Sequence, residues 1–218
     1  MKEVQWLDCT RLDKMMNVLR GKVSDRKLRL FACACCRSIW HLLPEPEGRS
    51  AVEVAERFAE GLASQEELAD ARQAAVALGP VEPFVAPPLR ILAVLLCDTE
   101  QNLWSAALRT GSAASRAVRE AAGATDALRG TAAITSERKK QVALLREIMG
   151  NPCRVMSIPK SWPRTVVQLA QAMYVGEDCA FALHDALVEA GRLEFAVHFK
   201  TGEHPKGCWV LDLILGKK

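Results

Sequence analysis

The stretch RKLRLFACACCRSIWHLL, Arg26–Leu43, decides the fold. Leu28, Phe31, Ala32, Cys35, Ile39, Leu42 and Leu43 recur at spacings of three and four, the period of a helix with one buried face. Ser24 and Asp25, just upstream, are types that cap helix N-termini, and Pro44 ends the run. Such a helix needs others to cover it. Its thiols raise a second question: Cys33, Cys35 and Cys36 are open to reading as a metal site, a redox centre or core filling.

Working outward, Arg49–Gly61 and Ser64–Leu78 carry helical patterns, with Gly61 and Gly79 as stops. Ser64 and Glu67 have the spacing of a capping box. The segment GPVEPFVAPPLR follows, Gly79–Arg90. Pro80, Pro83, Pro87 and Pro88 exclude regular helix there, so it reads as a hinge or a strap. Beyond it, Leu89–Arg109, Ser112–Leu128 and Ser136–Met149 predict three helices punctuated by Gly111, Gly130 and Gly150. A loop over Gly150–Pro163 leads to helices over Arg164–Tyr174 and Asp178–Ala190, the second ending at Gly191. The tail predicts a short helix, a turn over Thr201–Gly207 and a final apolar helix.

The expected fold is a single all-α globular domain, 1–218, of about eight to ten helices with little or no β-sheet. Within it, 1–78 forms an N-terminal helical layer, 79–88 the Pro-rich strap and 89–218 the C-terminal part. Leu28, Phe31, Cys35, Ile39, Leu92, Leu96, Leu144, Leu145, Leu169, Leu183, Leu187, Leu211 and Leu215 are the predicted core. Composition agrees: of 218 residues, 50% are hydrophobic but only 6% aromatic, which suits helices better than β-rich packing.

The N-terminal MKEVQWLDCTRLDK holds no apolar run of signal-peptide length, and the longest such run, Ile91–Cys97, is far short of the roughly 20 residues of a membrane span. This predicts a cytoplasmic protein without membrane association, its eight cysteines reduced. The formal net charge of +3 does not favour nucleic acid. A basic stretch, 11–37, is the candidate for such binding, but the acidic stretch 45–82 carries a matching opposite charge. The two are expected to pair within the chain.

Chemistry is sparse. Cys33 and Cys36 alone make an incomplete metal site, since structural zinc takes four ligands. His204 and Cys208, in HPKGC, are the candidate second pair, which makes Cys33, Cys36, His204 and Cys208 the alternative zinc site. Core packing of the cysteines is the favoured reading, and no cofactor is otherwise expected. A cysteine-dependent enzyme is a further alternative, pairing Cys153 or Cys208 with His198 or His204, although no nucleophile turn or oxyanion-hole motif accompanies them. His184-Asp185 cannot act as base and orienter, because adjacent helical positions point about 100° apart. Glycine-rich phosphate loops, HExxH and calcium loops are lacking. The expected function is therefore a non-catalytic helical module, interacting with another protein or regulatory, with no assigned catalytic residue.

Three stretches together, DRKLRLFACACCRSIWHLL with AVEVAERFAEGLAS, QVALLREIMGNPCR, and HPKGCWVLDLILGK, resemble an uncharacterised paralogous family abundant in planctomycete bacteria. The resemblance spans nearly the whole chain and implies a bacterial origin. It carries no activity and gives no residue a role. Relatives often have a longer alanine- and tryptophan-rich middle, and this chain is short there, between about Thr110 and Ser136.

Overall fold

A computed structural model describes residues 1–43, 46–77, 103–122, 127–200 and 204–218. All regular structure among them is helical, in eleven α-helices and two 3-10 turns. The helices are α1 Glu3–Leu7, α2 Leu12–Leu19, α3 Asp25–Arg37, α4 Pro46–Ala59, α5 Gln65–Ala77, α6 Leu103–Ala121, α7 Ala127–Met149, α8 Arg164–Tyr174, α9 Ala180–Glu189, α10 Leu193–Ala196 and α11 Trp209–Leu215. The all-α expectation holds, and the short α1 and α10 bring the described number just past eight to ten. The Pro-rich 79–88 strap lies outside the described residues, as do Leu92 and Leu96. Among the described residues no helix is long and apolar enough to cross a membrane.

Helix α3 is the hub, packed by α4, α6 and α7. Ser24 caps it, its hydroxyl accepting from the Lys27 N–H, and every side chain from Leu28 to Cys36 is buried. A stretch buried on every face draws on apolar side chains, which explains the density of alanine and cysteine here; the exception is Arg29, whose guanidinium lies over the Phe58 ring at 5.0 Å. Cys33, Cys35 and Cys36 are core residues; the Cys33 thiol donates to the Val52 carbonyl. Burial holds the Cys35 and Cys36 thiols well above their ordinary pKa, so both stay protonated. None of the seven described cysteines is in a disulfide.

Two hydrophobic clusters result. The first draws on α1 to α7, from Trp6 to Ile148, and the second on α8 to α11 with Val166, Leu183, Phe195 and Leu211. Of the predicted core, Leu28, Phe31, Cys35, Ile39, Leu145, Leu183, Leu187 and Leu211 are buried, while Leu144, Leu169 and Leu215 are partly so.

The capping box forms as read, with Ser64 Oγ accepting from the Glu67 N–H and Glu67 accepting from the Ser64 N–H. Gly61, Gly150 and Gly191 all have positive φ at helix ends. Gly111 and Gly130 do not stop helices. They lie inside α6 and α7 where the two cross: a Cβ on Gly111 would meet Gln141 Oε1 at 3.1 Å, and one on Gly130 would meet Arg119 Cγ at 3.3 Å. Close approach accounts for both glycines.

The basic and acidic stretches do meet. Arg37 pairs with Glu56 at 2.9 Å and Arg26 with Glu60 at 2.8 Å. Arg26 also reaches Asp212 at 2.7 Å and the Tyr174 hydroxyl at 2.6 Å, so one guanidinium ties α3 to α8 and α11.

Candidate metal centre

The second cluster meets the end of α7 at four polar side chains. Glu147 sits in the last turn of α7, His198 in the 3-10 turn Val197–Lys200, His204 in the HPKG loop, and Cys208 at the N-cap of α11. One donor atom from each lies within 4.8 Å of all the others.

Local backbone chemistry sets these positions. Helix α7 ends at Gly150, with φ +69°, and a Cβ there would meet Trp209 Cγ at 3.1 Å, so glycine lets α11 pack against the helix end. The HPKG loop is fastened to α3: Lys27 Nζ donates to the Gly207 carbonyl at 2.6 Å and to the Ile148 carbonyl at 2.8 Å. Gly207 has φ +83°, and a Cβ on it would come within 2.8 Å of Leu30 Cδ1. Cys208 follows, its N–H donating to the Pro205 carbonyl. The imidazoles are held by ring contacts, His198 to Trp209 at 5.4 Å and His204 to Phe199 at 4.9 Å between centroids.

His198 Nε2 is 3.0 Å from Cys208 Sγ and 3.2 Å from Glu147 Oε2, and His204 Nδ1 is 3.5 Å from that same oxygen. The edges of a zinc tetrahedron are about 3.3–3.8 Å for bonds of 2.0–2.3 Å. The 3.5 Å separation falls within that range and the other two are shorter, so an ion would spread His198 from Cys208 and Glu147. Hydrogen bonding accounts for the group poorly. The approach of each imidazole to Glu147 Oε2 is off the hydrogen-bond direction, so that oxygen and both His204 nitrogens are buried without a hydrogen-bond partner. Orphaned buried acceptors are costly and uncommon. Desolvation lowers the His198 pKa to about 4 and raises the Cys208 thiol to about 12. The pair is thus a neutral imidazole and a thiol, and a bound ion would have to take the place of the thiol proton.

The four residues fit a transition metal of borderline softness. One thiolate, two imidazoles and one carboxylate are all zinc donors, and the two anions balance a divalent charge. Bound through Nδ1, His204 would be left with its Nε2–H facing away from the ion. His204 also lines a cavity of about 380 Å³ beside Cys33, Arg37 and Lys206, while both of its ring nitrogens are themselves buried.

Of the alternative zinc set, the structure brings His204 and Cys208 together. Cys33 and Cys36 belong to the core around α3, the favoured reading of these cysteines. Glu147 and His198 stand where the alternative set had that pair. The spacing H-x5-H-x3-C over 198–208 was the available signal for His198; Glu147 lies far off in sequence, inside an ordinary amphipathic helix. Of the nucleophile pairings, His198 with Cys208 is in contact. The Cys153 thiol donates instead to the Met1 carbonyl. Contrary to the expectation from helical spacing, His184 and Asp185 do pair: Nδ1 lies 2.9 Å from Oδ1, because the side chains lean together across the roughly 100° between their Cα–Cβ directions.

Comparisons with protein-family models, with curated proteins and with solved structures found no match.

Proposed function

We propose that the chain is a non-catalytic, regulatory helical module whose C-terminal cluster is organised by a zinc ion on Glu147, His198, His204 and Cys208. The observation that carries this reading is the convergence of four donors within 4.8 Å, three of whose polar atoms are buried and lack partners. A shell filled by four protein donors is the pattern of structural zinc, whereas catalytic zinc keeps a position open for water. The ion joins the end of α7, part of the first cluster, to three ligands of the second.

Elemental analysis of protein purified without chelator tests this, with one zinc per chain expected and a melting temperature that falls when zinc is stripped. His204→Ala and Cys208→Ser should lose the metal. Cys33→Ala and Cys36→Ala should keep it, which separates this site from one built on the α3 cysteines. Protein that takes up no zinc or cobalt even when refolded with the metal would refute the reading.

The 3.0 Å contact of His198 with Cys208 favours a second reading, a cysteine nucleophile activated by histidine. Burial weighs against it, because Cys208 is fully enclosed and its thiol is held protonated. Rapid alkylation of Cys208 in the metal-free protein, abolished by His198→Ala, is the result that would favour it.

A further inference from the structure

A cleft of about 380 Å³ opens over the candidate metal centre, between α1 and the C-terminal cluster. Glu147 and His198 form part of its lining, while His204 and Cys208 do not. Two of the four donors therefore face a space large enough for a small molecule. Glu147 has the most exposed side chain of the four, 27% against 11% for His198 and 3% for His204, with Cys208 fully buried. Its Oε2, which faces the imidazoles, is itself buried, so exchange at Glu147 means the carboxylate swings out into the cleft.

The rest of the lining selects a chemistry. Met156, Ile158 and Trp209 supply apolar and aromatic wall, with the fully buried Trp6 behind it. Arg146 and Arg154 supply positive charge. With zinc in place, the Cys208 thiolate and the Glu147 carboxylate cancel the charge of the ion, so the two arginines set the potential of the cleft, Asp8 lying within electrostatic reach of Arg146. Arg146 Nη2 is spent on the carbonyls of Trp6, Leu7 and Cys9, at 3.0, 2.7 and 2.7 Å. Its Nε is buried and has no hydrogen-bond partner.

We infer that the cleft binds a small hydrophobic carboxylate, whose apolar body lies against Met156, Ile158 and Trp209 and whose carboxylate replaces that of Glu147 on the metal. The exchange conserves charge and donor type: one carboxylate oxygen leaves the ion as another arrives, and no proton or electron moves. The inference rests on the zinc reading. It makes the centre a receptor for a ligand, and the freed Glu147 is the means by which binding is felt in α7. A free aryl or alkyl carboxylic acid and the C-terminus of a peptide ending in an apolar residue share this chemistry.

Cobalt(II) in place of zinc gives a direct readout, since its visible absorption reports the ligand set. The first step is cobalt titration of the full chain at neutral pH; a flat titration overturns the zinc reading, and this inference with it. With cobalt bound, 3-phenylpropanoate and N-acetyl-Ala-Ala-Phe are then titrated separately, followed by absorption and tryptophan fluorescence. A saturable spectral change with either probe, absent with the corresponding amide, is the expected result, and which probe binds more tightly identifies the source. Arg154→Glu, an exposed residue outside the metal set, should weaken binding about tenfold while leaving cobalt uptake unchanged. Cobalt bound normally with no spectral response to either carboxylate, or an equal response to the amides, overturns the inference and leaves the metal centre standing.

Discussion

At the residue scale, glycine and cysteine carry most of the information, and each is easily misread. The cysteines of α3 crowd together because the helix is buried on all sides, and a small apolar side chain fits there without a metal. Cys208 is the same residue type in a different setting, facing two imidazoles and a carboxylate. Gly207, next to it, has a positive φ and less than van der Waals room against Leu30. We expect Gly207→Ala to cost about 2 kcal/mol or more in chemical denaturation, because strain and overlap act together. Gly191→Ala, with positive φ but open space around it, should cost about 1 kcal/mol. Equal losses for the two would mean that the HPKG loop is not pressed against α3 as described.

At the element scale, helix type and most caps were legible because they depend on neighbours in sequence: Ser24, the Ser64–Glu67 box and the terminal glycines all lie within one turn of what they cap. Helix crossings were not, since Gly111 and Gly130 look like stops until a second helix lies against them. The candidate metal centre divides along the same line. His204 and Cys208 share a loop and stood out together, whereas Glu147 joins them only through the packing of α7. The α6–α7 crossing also holds a buried polar chain: Ser38 donates to Glu137, and Gln141 Nε2 lies within reach of Glu137, Ser115 and the Gly111 carbonyl at 3.0, 3.2 and 2.9 Å. Gln141→Leu should leave the Glu137 carboxylate short of a donor and lower stability by about 2 kcal/mol, read from the urea midpoint. A neutral result would show that the crossing is held by its small residues alone.

At the scale of the whole molecule, the two clusters are joined by charge as well as by α7. Glu60 accepts from Arg26, Tyr174 and Lys217, which come from three separated parts of the chain. Burial alone would raise the Glu60 pKa, but the hydrogen bonds of Lys217 and Tyr174 and the charge of Arg26 outweigh it and hold the carboxyl below its ordinary value of 4.5. The folded state therefore binds fewer protons than the unfolded one as pH falls through that range. The stabilisation is complete above about pH 4.5 and is lost below it. Glu60→Gln should lower the melting temperature at neutral pH and flatten its fall under acid, and an unchanged acid slope would place the sensitive carboxylate elsewhere. The reach of Glu147 has a further consequence in polymer terms. On the zinc reading, joining it to Cys208 through one ion would close a ring of about 60 residues, and by the relation used for disulfides such a ring would remove unfolded-state entropy worth on the order of 4 kcal/mol. A bond so far along the chain acts as a removable cross-link. Hydrogen exchange in α8 to α11 should slow on adding zinc, and the gain should vanish when Glu147→Gln opens the ring.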